Sequence, residues 1–265
     1  MKGHGARWRR LAAAHLTESY VITPDLRGHG HSAMEPPWDL ERQVADVLAV
    51  PAGRGLTRVD VMGHSYGARV ATRLSRTTPE RIDRLALLDP SVQLPAQPVG
   101  EQARRGMSLP PYDTPEHARA ERAAAWPFAS GQTLDDEVEE QLEQGPGGRW
   151  CRRLEAAAVA TACSGMARPQ ILPSPTADTL LMIVRRSASY APSTSPTAAA
   201  YSAANRPSPR WTRTPCCTPR TTRPDLVGPL LHRFLTRRDA PPVPGGSGRV
   251  TEPAPAGSPA FPRLP

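Results

Sequence analysis

The sequence predicts an α/β fold: a mostly parallel sheet flanked by helices, with a helical lid inserted and the sheet incomplete. Three observations carry this. Apolar runs of strand length (VDVM at 59–62, LALL at 85–88, TLLMIV at 179–184) alternate with segments of helical period, as a parallel sheet with right-handed crossovers requires. A glycine-rich pentapeptide, Gly63-His64-Ser65-Tyr66-Gly67, follows one run directly and precedes a helical pattern directly. From about 101 to 170 the alternation gives way to mostly helical pattern.

In chain order, WRRLAAAHLTE at 7–17 predicts a short helix, and YVIT at 20–23 a buried strand that runs into a glycine-rich loop. Residues 38–50 place Leu40, Val44, Val47 and Leu48 on one helical face, and Pro51 and Gly53 are expected to end that helix. A strand from Arg58 to Met62, a helix from Ala68 to Thr77 and a strand from Leu85 to Leu88 follow. In the insertion, an acidic helix (LDDEVEEQLEQ) and an alanine-rich one (RRLEAAAVATA) are separated by GPGG. After the strand at 179–184 the pattern fails from about 191 to 222, and DLVGPLLHRFLT at 225–236 predicts a last helix. The expected division is 1–100 and 173–238 for two halves of a core, with 206–222 irregular, 101–172 for the lid, and 239–265 for a disordered Pro/Gly/Ser-rich tail.

Composition narrows the function classes. Thirty-two prolines and a mean hydropathy of −0.46 imply that part of the 265 residues lies outside any core. The net charge of +8 is no nucleic-acid signature: Lys2 is the only lysine, and arginine excess alongside abundant Ala, Gly and Pro reads as GC-rich coding bias. Between 206 and 239 eight arginines face two aspartates in a proline-rich stretch without an organised basic face. Cys151, Cys163, Cys216 and Cys217 show neither metal-type spacing nor a disulfide framework. No run approaches a membrane span, and the basic start has too short an apolar run for a secretory signal. The expectation is a cytoplasmic protein with a small-molecule substrate and no cofactor, metal, nucleic-acid or membrane partner.

The pentapeptide fits G-x-S-x-G, in which a strained strand-to-helix turn pushes the serine hydroxyl out above the sheet while both glycines relieve crowding. Together with Asp25-Leu26-Arg27-Gly28-His29-Gly30-His31-Ser32, which matches D-x-R-G-x-G-x-S, and with RLALLDP at 84–90, it makes the sequence resemble the α/β-hydrolase fold superfamily, closely over about 3–95 and loosely over 165–190 and 223–236. The resemblance implies Ser65 as nucleophile and an oxyanion hole from the Tyr66 N–H and, through Gly3-His4-Gly5, the His4 N–H. It also implies a central strand before Gly3. Lys2 replaces the usual histidine and Met1 stands where that strand belongs, so a start codon displaced downstream is expected.

The triad is harder to complete. The resemblance implies a histidine from the loop after the last strand, and nothing in 191–224 supplies one. His29 and His31 read as structural, His64 as a packing residue, His15 as part of the first helix, His117 as exposed, and His232 as a helix surface residue. VRRSASYAP offers no carboxylate after the strand at 179–184, which leaves Asp89 as candidate acid. Codons for Arg210–Thr218 read one nucleotide earlier are compatible with V-D-x-H-T-V-L-Y, which resembles the family's histidine loop; two compensating frame slips, one near Asn205 and one before Arg223, would explain the lost base and the arginine cluster together. The expected activity is hydrolysis of an ester or related bond in a small, fairly apolar molecule, impaired in the chain as written, with a non-catalytic binder or a non-functional product as rivals.

Overall fold

A computed structural model describes residues 2–91, 94–169, 172–174, 176–184, 210–214 and 224–237, with backbone alone at 184 and 210–214. A 3-10 turn (Gly5–Trp8) leads into α1 (Arg9–His15), followed by α2 (Leu40–Ala52), β1 (Val59–His64), α3 (Tyr66–Thr77) and β2 (Ile82–Leu88). The insertion holds α4 (Ala96–Met107), α5 (Pro115–Ala125), α6 (Gly131–Gln141), β3 (Leu142–Gln144), β4 (Trp150–Arg152) and α7 (Ala156–Ala167). Then come β5 (Asp178–Val184), β6 (Arg210–Thr214) and α8 (Pro224–Leu235).

The main sheet runs β1-β2-β5-β6, every pair parallel. β2 and β5 are apolar on both faces because both faces are covered. Leu85, Leu87 and Leu181 join Val70, Leu74, Val159 and Met166 from α3 and α7 on one side. Ala86, Leu88, Leu180 and Met182 join Leu11 from α1 and Val227, Leu231 and Phe234 from α8 on the other. Each fully buried leucine is worth about 1.5–3 kcal/mol, so β2, with Leu85, Leu87 and Leu88 all sealed, anchors both cores. Helix starts follow local chemistry: Asp39 accepts from the Arg42 N–H at 2.8 Å to open α2, Thr114 precedes Pro115 at the start of α5, and Ser130 caps α6.

Four expectations need correction. Tyr20–Thr23 forms no strand, and Tyr20 is 75% exposed where burial was expected. An apolar run becomes a strand only when a neighbour takes its N–H and C=O groups, and among the described residues none lies beside it or along the outer edge of β1. The stretch 206–222, expected to be irregular, contains β6, recruited by the open edge of β5: Leu180 aligns with Arg210 and Val184 with Thr214. The rest of 191–222, and the tail 239–265, lie outside the described residues. GPGG does not simply separate two helices but turns the antiparallel hairpin β3–β4, since Gly147 and Gly148 both adopt positive φ there. Finally, α2 continues through Pro51, which occupies its last turn, and ends at Gly53.

Candidate active site

Because β1, β2, β5 and β6 are parallel, their C-terminal ends share one edge of the sheet, where ligands of open α/β sheets collect. Ser65 follows β1 there, with φ 56° and ψ −121°. Such a conformation costs a non-glycine residue of order 1–3 kcal/mol and persists only when its surroundings enforce it. Here the Ser65 N–H donates to Leu88 O at 3.0 Å, and its carbonyl accepts from the Ala68 and Ser91 N–H groups at 3.1 and 3.3 Å. Gly63 is obligatory, since a Cβ on it would lie 2.3 Å from Gly67 O. Gly67 is not crowded in this way: nothing lies within 4 Å of a Cβ placed there, so only the first glycine makes room for the turn.

The Tyr66 N–H is the first of α3 and has no intrahelical acceptor, so it is available to an anion at the helix start. The Tyr66 ring is buried, and that burial, opposed by Arg69 and reinforced by Asp39 and Glu41, pushes its phenol up to about 12. Asp89 follows β2 with φ 44°, half-buried, its N–H donating to Met182 O at 2.7 Å. Two residues on, Ser91 brings its Oγ to 2.9 Å from Ser65 Oγ. That contact was invisible beforehand, for a serine after LLDP carries no signal of its own.

His4 lies in a loop gripped from two sides. The Gly5 N–H donates to Asp25 Oδ1 at 2.5 Å, and Asp25 Oδ2 accepts from the His31 N–H at 2.8 Å, so one carboxylate joins the His4 loop to the DLRGHGHS loop. Gly5 sits so close to Thr23 that a Cβ would fall 1.9 Å from its carbonyl oxygen. Arg27 anchors the same motif to α2, with Nε 2.7 Å from Asp46 Oδ2. Asp25→Ala strands two backbone donors and is expected to cost about 1–3 kcal/mol, read as a lower thermal midpoint together with faster amide exchange at Gly5 and His31.

On the other side, the His4 imidazole turns to the insertion, Nε2 standing 2.9 Å from Glu137 Oε2 on α6. Arg7 binds both oxygens of that carboxylate, and Arg122 approaches to 3.5 Å. The guanidinium groups of Arg7 and Arg122 lie 4.9 and 4.8 Å from the centre of the Trp126 ring. Burial alone would raise the Glu137 carboxyl, but Arg7 and the hydrogen bonds from His4 and Arg7 overcome it and hold the group at about 2. No residue of this cluster except His4 was a candidate from the sequence, because its members are scattered over three segments.

The other histidines are placed as follows. His29 Nδ1 lies 3.2 Å from Arg27 O, His117 meets the Tyr112 ring edge-on, and His232 Nδ1 is 3.0 Å from His15 O. His31 is exposed, and His64 ends β1, half-buried. Among the described residues the hydrogen-bond partner of Ser65 Oγ is Ser91. Among those residues, too, no three His, Cys, Asp or Glu side chains are grouped to hold a metal ion, and no helix is long and apolar enough to cross a membrane.

A parallel sheet that delivers a serine into a helix through one strained residue, with helices inserted after the next strand, defines a class of α/β scaffolds. The chain belongs to the α/β-hydrolase fold family. That family's sequence model matches residues 3–124, and the lipase LipV of Mycobacterium tuberculosis is 39% identical over 189 residues, which cover 71% of this chain and 72% of LipV. The N-formylmaleamate deformylase of Pseudomonas putida is 36% identical over 85 residues, 31% of each chain. Among solved structures, E-2-(acetamidomethylene)succinate hydrolase superposes with a TM-score of 0.74 at 17% identity, covering 89% of both chains. An esterase from a marine microorganism does so at 0.69 and 15%, covering 88% of this chain and 92% of its own. At those identities the two structures speak to the fold alone.

Proposed function

We propose that this chain descends from, and is built as, a serine hydrolase acting on an ester of a small molecule. Ser65 is the nucleophile, Asp89 the acid, and the N–H groups of Tyr66 and His4 hold the oxyanion of the tetrahedral intermediate. The insertion at about 101–172 is the lid over a core made of 1–100 and 173–238. The observation that carries this reading is the Ser65 backbone, whose strained φ and ψ are maintained by three hydrogen bonds and by Gly63 at a strand-to-helix turn. LipV, named a lipase, matches along most of its length and supports an ester as the bond attacked.

The base is where the chain as written falls short. A general base must come within about 2.6–3.2 Å of the serine oxygen, directly or through one water, and the hydroxyl of Ser91 holds that place. Thr214, where the shifted reading of the codons puts a histidine, ends β6 on the edge of the sheet that carries Ser65 and Asp89. That placement supports a frame slip across 206–222 as the origin of the loss. The Ser65–Ser91 contact equally favours a second reading, a non-catalytic relative that binds small molecules, because the serine hydroxyl is already engaged.

A fluorophosphonate probe separates the two. Labelling of the intact chain that disappears in Ser65→Ala identifies an activated nucleophile. No labelling of the chain as written, with labelling once 206–222 is read in the shifted frame, places the defect in the base. Silence in both, with cooperative unfolding retained, leaves the binder.

A further inference from the structure

The Lys2–Gly5 loop is held by α6 at two points one helical turn apart. Glu137 takes the His4 imidazole, and Gln141 donates from Nε2 to Lys2 O at 2.8 Å. Arg7, which Glu137 binds, donates from Nη2 to the same Lys2 carbonyl at 3.0 Å. Asp25 holds the loop from the core side through the Gly5 N–H. The His4 N–H therefore lies between an anchor from the insertion and one from the core, and it makes no hydrogen bond to any described residue. The Glu137 side chain is 2% exposed and that of His4 6%. An ionised carboxylate only accepts, so His4 Nε2 donates to it, which fixes the ring, and the buried Nδ1 has no hydrogen-bond partner among the described residues.

We propose that Glu137, assisted by Gln141, is a positioning residue for the oxyanion hole: the insertion sets the direction of the His4 N–H as well as covering the site. This rests on the role proposed above for His4. The geometry favours positioning over substrate contact, because both carboxylate oxygens are already bound by protein groups and the carboxylate itself is sealed. A positioning residue of this kind acts on the transition state, where the oxyanion exists, and not on ground-state binding.

The test compares the full chain with Glu137→Gln and, as the milder change, Gln141→Ala. Fluorophosphonate labelling and p-nitrophenyl ester turnover are followed in parallel with nitrogen-15 spectra of the His4 ring and amide exchange at His4. The expected result is a tenfold or greater fall in labelling rate and kcat for Glu137→Gln, and about threefold for Gln141→Ala, with KM within twofold in both. Glu137→Gln should also weaken the hydrogen bond from His4 Nε2, shift the ring nitrogen signals and speed exchange at the His4 N–H. Parental labelling in both variants, a change confined to KM, or an unaltered His4 ring and amide would overturn the proposal. If the intact chain does not label, the same variants are compared in the chain whose 206–222 segment is read in the shifted frame; if neither background labels, the hydrolase reading fails separately, and the positioning claim is decided by the His4 ring and amide signals alone.

Discussion

Replacing Gly63 with alanine is expected to cost about 3 kcal/mol or more, at the upper end of what overpacking does in a closed core. The new methyl would stand 2.3 Å from Gly67 O, 2.5 Å from Gly67 C and 2.6 Å from Ala68 Cα. All three are backbone atoms of the first turn of α3, so no rotamer change relieves the contact. The helix itself must move, and with it Val70, Ala71 and Leu74, each at most 3% exposed. For a chain of this size the thermal midpoint should fall by roughly 10 °C, and the Ser65 backbone should lose its enforced conformation. Gly67→Ala is the control. Nothing meets its added Cβ, and alanine is the better helix former by about 1 kcal/mol, so its midpoint should stay level or rise. Equal losses in the two variants would show that the turn is not built as described.

Acidification is expected to remove about 3 kcal/mol of stability through Glu137 alone. The folded carboxyl lies at about 2 against 4.5 for the unreacted group, a difference worth roughly 1.4 kcal/mol per pH unit. Its folded value is depressed, so the unfolded chain binds the proton more tightly. The contribution is whole above pH 4.5, shrinks as pH falls through the interval, and is gone below about 2. Arg7 and His4 face the carboxylate from the amino-terminal segment and Arg122 from α5, and each favours its charged form. Urea unfolding midpoints between pH 6 and pH 2, for the intact chain and for Glu137→Gln, isolate the effect because the other carboxylates cancel in the difference. The intact chain should lose stability more steeply, and parallel curves would remove Glu137 from the balance.

These two results probe opposite kinds of information. The Gly63–Ser65–Tyr66 turn was legible because everything that makes it lies within a few residues: an apolar strand, a glycine where backbone passes backbone, and a helix beginning at once. The same holds for the helices around Val44, Leu74 and Val159 and for β2, whose periods are written in neighbouring side chains. Asp89 was legible as a position, one residue past β2. Its surroundings were not, because they depend on Met182 approaching from β5.

The two strand expectations that failed share one physical reason. A strand is a relation between two segments, so VIT at 21–23 had the right residues and no ladder, whereas RWTRT at 210–214 had unpromising residues and found an open edge. The Ser65–Ser91 contact spans 26 residues and the His4–Glu137 contact 133. By itself the sequence determined the α/β order, the serine turn and the family. Only the tertiary structure decided which hydroxyl meets Ser65 and which carboxylate holds His4, because the first pairing needs β1 and β2 side by side and the second needs the insertion folded back over the amino-terminal loop.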